Sequence, residues 1–407
     1  MSAGPLHLFE AIGVELEYML VDATTLDVRP AVDAVLKAQA GSYVSDVEDG
    51  PITWSNELVR HVVEVKVGAP VAQLDGLAAA FQASLGRIQA LAGAIGARLL
   101  PTAMHPWMDP ARETELWPHE SAEIYRMFDR IFDCRRHGWA NLQSVHVNLP
   151  FCGDGEFARL HAAIRLVLPL IPALAASSPV MEGRVTGVLD NRLDVYVNNS
   201  RKIPHITGAV IPERVFRAAD YNALIFQPMF RAIAPYDPEG VLQDEFLNAR
   251  GAIARFDRGA IEIRLIDVQE TPAADLAIVA AVVHAVRAQA EGRYASLAAQ
   301  QAWEPEPLRS ILQATLREGE ATMITDRGFL AAWGIEGPAR AGDVWQAITA
   351  DLCPSDRDIA GALAHIRQHG TLARRMLRRL SATPSREELA ALYRELGDCL
   401  AEGRLLE

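Results

Sequence analysis

The chain has 407 residues, half of them hydrophobic and 22% charged, a composition that builds a sizeable core and excludes extensive disorder. Its length suits two or three domains, or one large unit with an accessory segment. With 39 basic and 52 acidic residues the formal charge is −13, which argues against general nucleic-acid binding and a basic membrane-surface role but not against a local anion site.

In chain order, residues 11–21 read as a strand, 22–25 as a turn and 26–29 as a returning strand. Residues 41–55 are polar and turn-rich, and 62–67 give a short β run. Apolar residues at three- and four-residue steps predict a helix over 71–98. A buried strand over 99–104 leads into a proline-containing loop over 105–118. A helical pattern over 120–134 precedes a strand over 141–149. Residues 156–177 predict a long helix that Pro169 and Pro172 should kink or divide. A loop-rich stretch over 178–212 follows, then a strand over 260–267 and a helix over 273–290 with Pro272 in its first turn. Beyond about residue 303 amphipathic helices dominate, over 308–316, 344–350, 359–369, 371–380 and 387–401. Arg374, Arg375, Arg378 and Arg379 read there as an exposed basic helix face. The expected architecture is α+β, a catalytic body over 1–300 with a helical C-terminal region over 301–407.

Four cysteines, Cys134, Cys152, Cys353 and Cys399, form no CxxC pair, so neither a disulfide scaffold nor a zinc knot is indicated. The N-terminal stretch has no basic region ahead of its apolar run, which Glu15 and Glu17 interrupt. The apolar stretch near 166–176 falls short of the roughly 20 residues of a membrane span. A soluble, cytoplasmic protein is expected, without membrane or nucleic-acid partners; a homo-oligomer is left open.

The chemistry-bearing segments are strands with acids where a core would be expected. In GVELEYMLV, alternation puts Val14, Leu16, Tyr18 and Leu20 on one face and Glu15, Glu17 and Met19 on the other. Two carboxylates about 7 Å apart on one face are either solvent-facing or compensated by a cation. GAIEIRLID repeats the device: Glu262, Arg264 and Ile266 oppose Ile261, Ile263 and Leu265. The pair Glu262 and Arg264 reads either as a same-face ion pair or as a metal ligand beside a phosphate clamp. QSVHVNL puts Ser144, His146 and Asn148 on one face. NELVRHVVEVK adds Glu57 and Glu64. A mainly oxygen-donor set with one imidazole suits Mg²⁺ or Mn²⁺ better than zinc, and several converging carboxylates would hold two or more ions that neutralise phosphate oxygens. No Walker-type or dinucleotide-binding glycine loop occurs. The residues alone therefore lead to metal-dependent phosphoryl chemistry.

These same segments resemble the bacterial carboxylate–amine ligases of glutamate–cysteine ligase family 2, which have the glutamine-synthetase-like fold shared more distantly with guanidino kinases. GVELEYMLVD is similar to the family's G-[IV]-E-x-E strand, ITWSNELVRHVVEVK to its next acidic block and PTAMHPWMDP to its G-x-H-P-[FW] loop, with His105, Pro106 and Trp107 at the matching positions. LQSVHVNLPF resembles the H-V-H-V-G strand, with Ser144 in place of the first histidine and Asn148 in place of the glycine. LAASSPVMEG with NRLDVY, and GAIEIRLIDVQETP, complete the series over about two thirds of the chain. The resemblance implies a largely antiparallel sheet and Glu15, Glu17, Glu64, His146 and Glu262 as metal ligands. It makes Arg192 and Arg264 the contacts to ATP phosphate or substrate carboxylate, and Glu57 the candidate proton acceptor. The implied reaction is ATP- and Mg²⁺-dependent joining of an amino-acid carboxylate to an amine, cysteine among them, through an acyl phosphate. Phosphotransfer without ligation and a non-catalytic ligase-like binding protein are the alternatives.

Overall fold

The computed structural model describes residues 4–407, so the first three residues of the N-terminal stretch read above lie outside it. Eight strands make the central sheet: β1 (Gly13–Asp22), β2 (Asp46–Asp49), β3 (Ile52–Asn56), β4 (Val62–Val67), β5 (Ala97–Leu100), β6 (Ser144–Pro150), β7 (Ala252–Arg255) and β8 (Ala260–Asp267). The order is β2-β3-β4-β1-β6-β8-β7, with β5 paired to the end of β1, and every pairing is antiparallel. This is the α+β class with the antiparallel sheet that the sequence implies. Gly13 opens β1 where a Cβ would come within 2.9 Å of the Asn148 Cβ on β6, so a side chain there would push the two central strands apart.

The principal helices of the body are α1 (Val32–Ala40), α2 (Leu77–Ala94), α3 (Ala122–Phe132), α4 (Gly153–Val167) and α5 (Pro272–Ala290). Alternation gives the sheet two unlike faces. Val14, Leu16, Tyr18, Val63, Val65, Val145, Val147, Ile261 and Ile263 share a core with Phe81 of α2, Ile164 of α4 and Ile278 of α5. Each such side chain taken out of water contributes about 1.5–3 kcal/mol before entropy is subtracted. Tyr18 donates its hydroxyl to Asp275 at 2.9 Å, and burial pushes that carboxyl well above its usual range. Helix α5 is capped by the Thr271 hydroxyl, which accepts from the Ala274 N–H. It has the length and apolarity of a membrane span, yet 83% of its most apolar stretch is buried in protein.

Several boundaries differ from expectation. The polar stretch 41–55 contains the hairpin β2–β3, whose exposed edge lacks an apolar alternation. Residues 26–29 pair only through a single Val21–Val28 bridge, with Leu26 held at a positive φ of 61°. Helix α2 starts six residues later than predicted, after Gly76 at φ 74°, and ends before Gly96 at φ 71° turns the chain into β5. The strand expected to run to 104 stops at Leu100, because Pro101 is followed by Thr102 at φ 80°. Pro169 and Pro172 do divide the long helix, into α4, a 3₁₀ turn and Pro172–Ala175. Pairing of β8 with β6 shifts register between Ile263 and Ile266, so Ile266 joins the core instead of the Glu262 face.

The C-terminal segment contributes α6 (Pro305–Glu318), α7 (Ala341–Ile348), α8 (Arg357–His369), α9 (Leu372–Arg379) and α10 (Arg386–Glu402). Leu308, Trp345 and Leu363 pack into the main core. Met376, Tyr393 and Leu396 cover Met19, Val21 and Leu100 at the far end of β1. Of the four arginines of α9, Arg378 and Arg379 are exposed as the sequence leads one to expect, but Arg374 and Arg375 are not. Arg375 is fully buried in an ion pair with Glu270, while Arg374 pairs with Glu320 and Arg379 with Glu395.

Candidate active site

The second face of the sheet collects the acids. Glu15 and Glu17 project from β1, Glu64 and Lys66 from β4, Ser144, His146 and Asn148 from β6, and Glu262 and Arg264 from β8, all by strict two-residue alternation. Glu57 follows β3 in the connection to β4. Oxygen and nitrogen atoms of Glu15, Glu64 and His146 lie within 4.8 Å of one another, and so do those of Glu17, Glu57 and Glu64. Glu64 thus belongs to two adjacent three-ligand groups. Glu262 stands beside the first: its carboxylate is 3.8 Å from His146 Nδ1 and 3.1 Å from Arg264 Nε. The same-face ion pair that one sequence reading expects of Glu262 and Arg264 is formed.

Hydrogen bonds hold these groups in place. Ser144 donates to Glu17 from its N–H at 2.6 Å and from its hydroxyl at 3.0 Å. The same hydroxyl oxygen lies 2.9 Å from His146 Nε2, and His146 Nδ1 lies 3.2 Å from Glu15. Asn148 donates to Glu15 at 3.0 Å. Both positions that depart from the H-V-H-V-G pattern therefore fasten a glutamate of β1. Ser55 and Lys66 each donate to the same oxygen of Glu64 at 2.7 Å.

Electrostatically the cluster asks for positive charge. Burial disfavours the His146 cation, but its hydrogen bond to Glu15 and the charge of Glu17 outweigh that, and its pKa rises to about 9. Burial raises Glu15, and the hydrogen bond and charge of His146, with Lys66 adding to them, together more than reverse it, leaving a net lowering. Burial pushes Glu17 up, with Glu64 adding to the rise and His146 opposing it. Glu57 rises well above the usual range through burial and then through the charges of Glu17 and Glu64. The raised proton affinities of Glu57 and His146 express the same deficit of positive charge. Oxygen donors in excess, one imidazole and a deficit of positive charge fit hard divalent ions such as Mg²⁺ or Mn²⁺.

Beside the carboxylates lies a cavity of about 340 Å³, reached by Glu17, Glu57, Ser144, His146, Arg192 and Arg264. Arg192 sits on the short helix Asn191–Tyr196, inside the stretch expected to be loop-rich. Its Nε bonds to the fully buried Asp267 and its Nη1 to the Arg264 carbonyl, while its Nη2 has no protein partner. Asp267 is fixed in turn by the Ser177 N–H at 2.9 Å and the Ser178 hydroxyl at 3.0 Å. A buried guanidinium nitrogen without a protein partner, on a residue that lines a cavity, is a donor still to be satisfied.

All eight site residues expected from the sequence therefore stand on or beside this face, with Glu262 outside the two three-ligand groups. The His105-Pro106-Trp107 loop does not join them. His105 is fully buried with Nε2 2.7 Å from the Leu26 carbonyl, and Trp107 packs under Arg386 at 3.5 Å. Lys66 was missed, although its place two residues after Glu64 puts it on the same strand face. Ser55 and the aromatic residues of the cavity carried no comparable signal, because they come from separate segments.

With this geometry established, known proteins can be compared. The sequence model of glutamate–cysteine ligase family 2 matches residues 11–395. An "Uncharacterized protein" of Archaeoglobus fulgidus is 34% identical over 283 residues, 69% of this chain and 75% of that protein. A Rubrobacter xylanophilus protein named "Putative glutamate--cysteine ligase 2-3" is 33% identical over 46% of this chain and 48% of its own length. One from Jannaschia sp. named "Putative glutamate--cysteine ligase 2" is 28% identical over 47% of each. The match thus spans about half the length of these two named relatives. Among solved structures, the glutamate–cysteine ligase of Francisella tularensis in complex with AMP superposes with a TM-score of 0.60 at 12% identity, covering 98% of this chain and 90% of that one. That likeness establishes a shared fold.

Proposed function

The chain belongs to glutamate–cysteine ligase family 2, and from that premise we propose that it is an ATP-dependent carboxylate–amine ligase that forms an amide through an acyl phosphate. The observation that carries this reading is the pair of three-ligand groups sharing Glu64 beside a cavity that holds a free arginine nitrogen. The AMP bound by the Francisella enzyme supports use of an adenine nucleotide. The relation to glutamine-synthetase-like enzymes belongs to the same reading and rests on the sequence motifs.

Glu15, Glu64 and His146 would hold one divalent ion and Glu17, Glu57 and Glu64 a second, with Glu262 available to the first once it leaves Arg264. Bound there, such ions would offset negative charge on the transferring phosphoryl group. Arg192 and Arg264 orient the acid substrate and the phosphoryl oxygens from the cavity side. A substrate carboxylate oxygen takes the γ-phosphoryl group of ATP, and ADP leaves. The amine nitrogen then attacks the acyl carbon, the carbon–oxygen bond to phosphate breaks, and inorganic phosphate departs. The attacking nitrogen loses one proton, and Glu57, which lines the cavity, offers for it the carboxylate oxygen that the ion does not take.

The test is a screen of ADP and phosphate release across acids and amines, with glutamate and cysteine included because the relatives' names point to that pair. The reading predicts ADP, phosphate and amide in equal amounts only when acid and amine are both present. ADP with a stable phosphorylated product and no free phosphate would replace ligation by phosphotransfer.

A further inference from the structure

The cavity has a second wall that the chemistry above leaves unused. Tyr125 and Phe128 reach it from α3, Trp139 from the short helix His137–Ala140, Leu142 from the approach to β6, and Phe246 from the segment before β7. All five are half-buried, whereas the aromatic residues of the main core are mostly sealed. Their remaining surface is therefore kept open at the cavity. The rings brace one another: Phe128 lies 5.4 Å from Trp139 and 6.5 Å from Phe246, and Trp139 stacks on the buried Phe132 at 5.4 Å. A braced aromatic wall on a cavity of this size is a preformed seat for an apolar group.

The charged wall specifies the other end of the ligand. Arg192 is held on two sides by Asp267 and the Arg264 carbonyl, leaving Nη2 as the free donor for one carboxylate. Among the described residues the arginines or lysines lining this cavity are Arg192 and Arg264, both beside carboxylates, so a second charge placed at the aromatic wall has no cation there and is costly.

We propose that the acid substrate seated in this cavity is a monocarboxylate with an aromatic or large aliphatic body, its carboxylate at Arg192 and its apolar end against Phe128, Trp139 and Phe246. This rests on the ligase reading for the word substrate but not for the binding preference. A dicarboxylic amino acid such as glutamate is then the poorer fit, since its side chain would bring a second charge to the aromatic wall.

Calorimetric binding tests the preference without turnover. The probes are 4-phenylbutanoate and glutarate, which share three methylenes next to the carboxylate and differ at the far end. The aryl acid is expected to bind about tenfold or more tighter, a difference of about 1.4 kcal/mol. Trp139→Ala should cut that ratio below threefold without weakening glutarate. Phe246→Ser serves the same purpose if a thermal melt shows Trp139→Ala to be unfolded. Glutarate binding equal to or tighter than the aryl acid, no binding of either, or a ratio unchanged in both variants overturns the proposal. Aryl-acid binding without ADP release in any acid–amine mixture would leave this preference standing and remove the ligase reading. Efficient amide formation from glutamate alone would do the reverse.

Discussion

The two faces of one sheet share their strands and differ in nearly everything else. On the helix-covered face Val14, Leu16, Val147 and Ile263 are fully buried, and the buried acid Asp275 is held by the Tyr18 hydroxyl with its proton affinity raised by burial. On the other face Glu17, Glu64, His146 and Glu262 are nearly as well buried, yet they crowd like charges together. Sidedness by alternation is thus used twice, once to build a core and once to concentrate carboxylates that the fold would be better off without. The covered face supplies the stability against which the acidic face is held.

The largest expected contrast comes from one substitution on each face. Glu64→Gln removes the ligand common to both groups and should lower Mg²⁺-dependent ADP formation by about 100-fold or more while leaving the thermal midpoint unchanged or raised. Leu16→Ala should do the opposite, costing about 3 kcal/mol in denaturant titrations with turnover of the folded fraction retained. A Glu64→Gln protein as unstable as Leu16→Ala would abolish the distinction between the faces. Glu15→Gln and Glu262→Gln should each reduce turnover sharply with the fold intact; unchanged turnover in a purified variant would remove that residue from the metal site.

A pH series sharpens the same contrast. The folded-state affinity of His146 for its proton is raised to about 9 from 6.5, and that of Glu57 is raised well above 4.5. The folded protein then binds more protons than the unfolded chain, so the His146 contribution is complete below pH 6.5 and is lost as pH rises through 9. With chelator present, the thermal midpoint should fall across that window, and Mn²⁺ should flatten the fall. A midpoint independent of pH in chelator would mean that the acidic face carries no such strain. The smallest effect is expected for Ser144→Ala, which removes one hydroxyl between His146 and Glu17. About 1 kcal/mol, or roughly fivefold in ADP formation, is the scale of one such bond, with nucleotide affinity less affected than the choice of amine.

Strands β1, β6 and β8 were legible because each alternates cleanly, and their order in the chain carried the family motifs. Hairpin β2–β3 was not, since Asp46–Asp49 is an exposed edge with little apolar signal. The register shift in β8 was equally silent: nothing in GAIEIRLID says that Ile266 turns inward. Arg375 read as solvent-facing because its partner, Glu270, lies far off in the sequence and only the packing of α9 brings them together. The ligand residues could be read from the chain because they repeat on strands. The aromatic wall could not, because Phe128, Trp139 and Phe246 meet only in three dimensions, and singly each resembles a core residue.

The central claim is that the acidic face is a site for two divalent ions joined by Glu64. Its most direct test is Mn²⁺ binding followed by electron paramagnetic resonance, at fixed pH and with a non-hydrolysable ATP analogue. The account predicts two Mn²⁺ ions per chain, with both weakened by Glu64→Gln and neither by Leu16→Ala. Absence of saturable binding, or two ions bound as tightly by Glu64→Gln as by the unaltered protein, would contradict it.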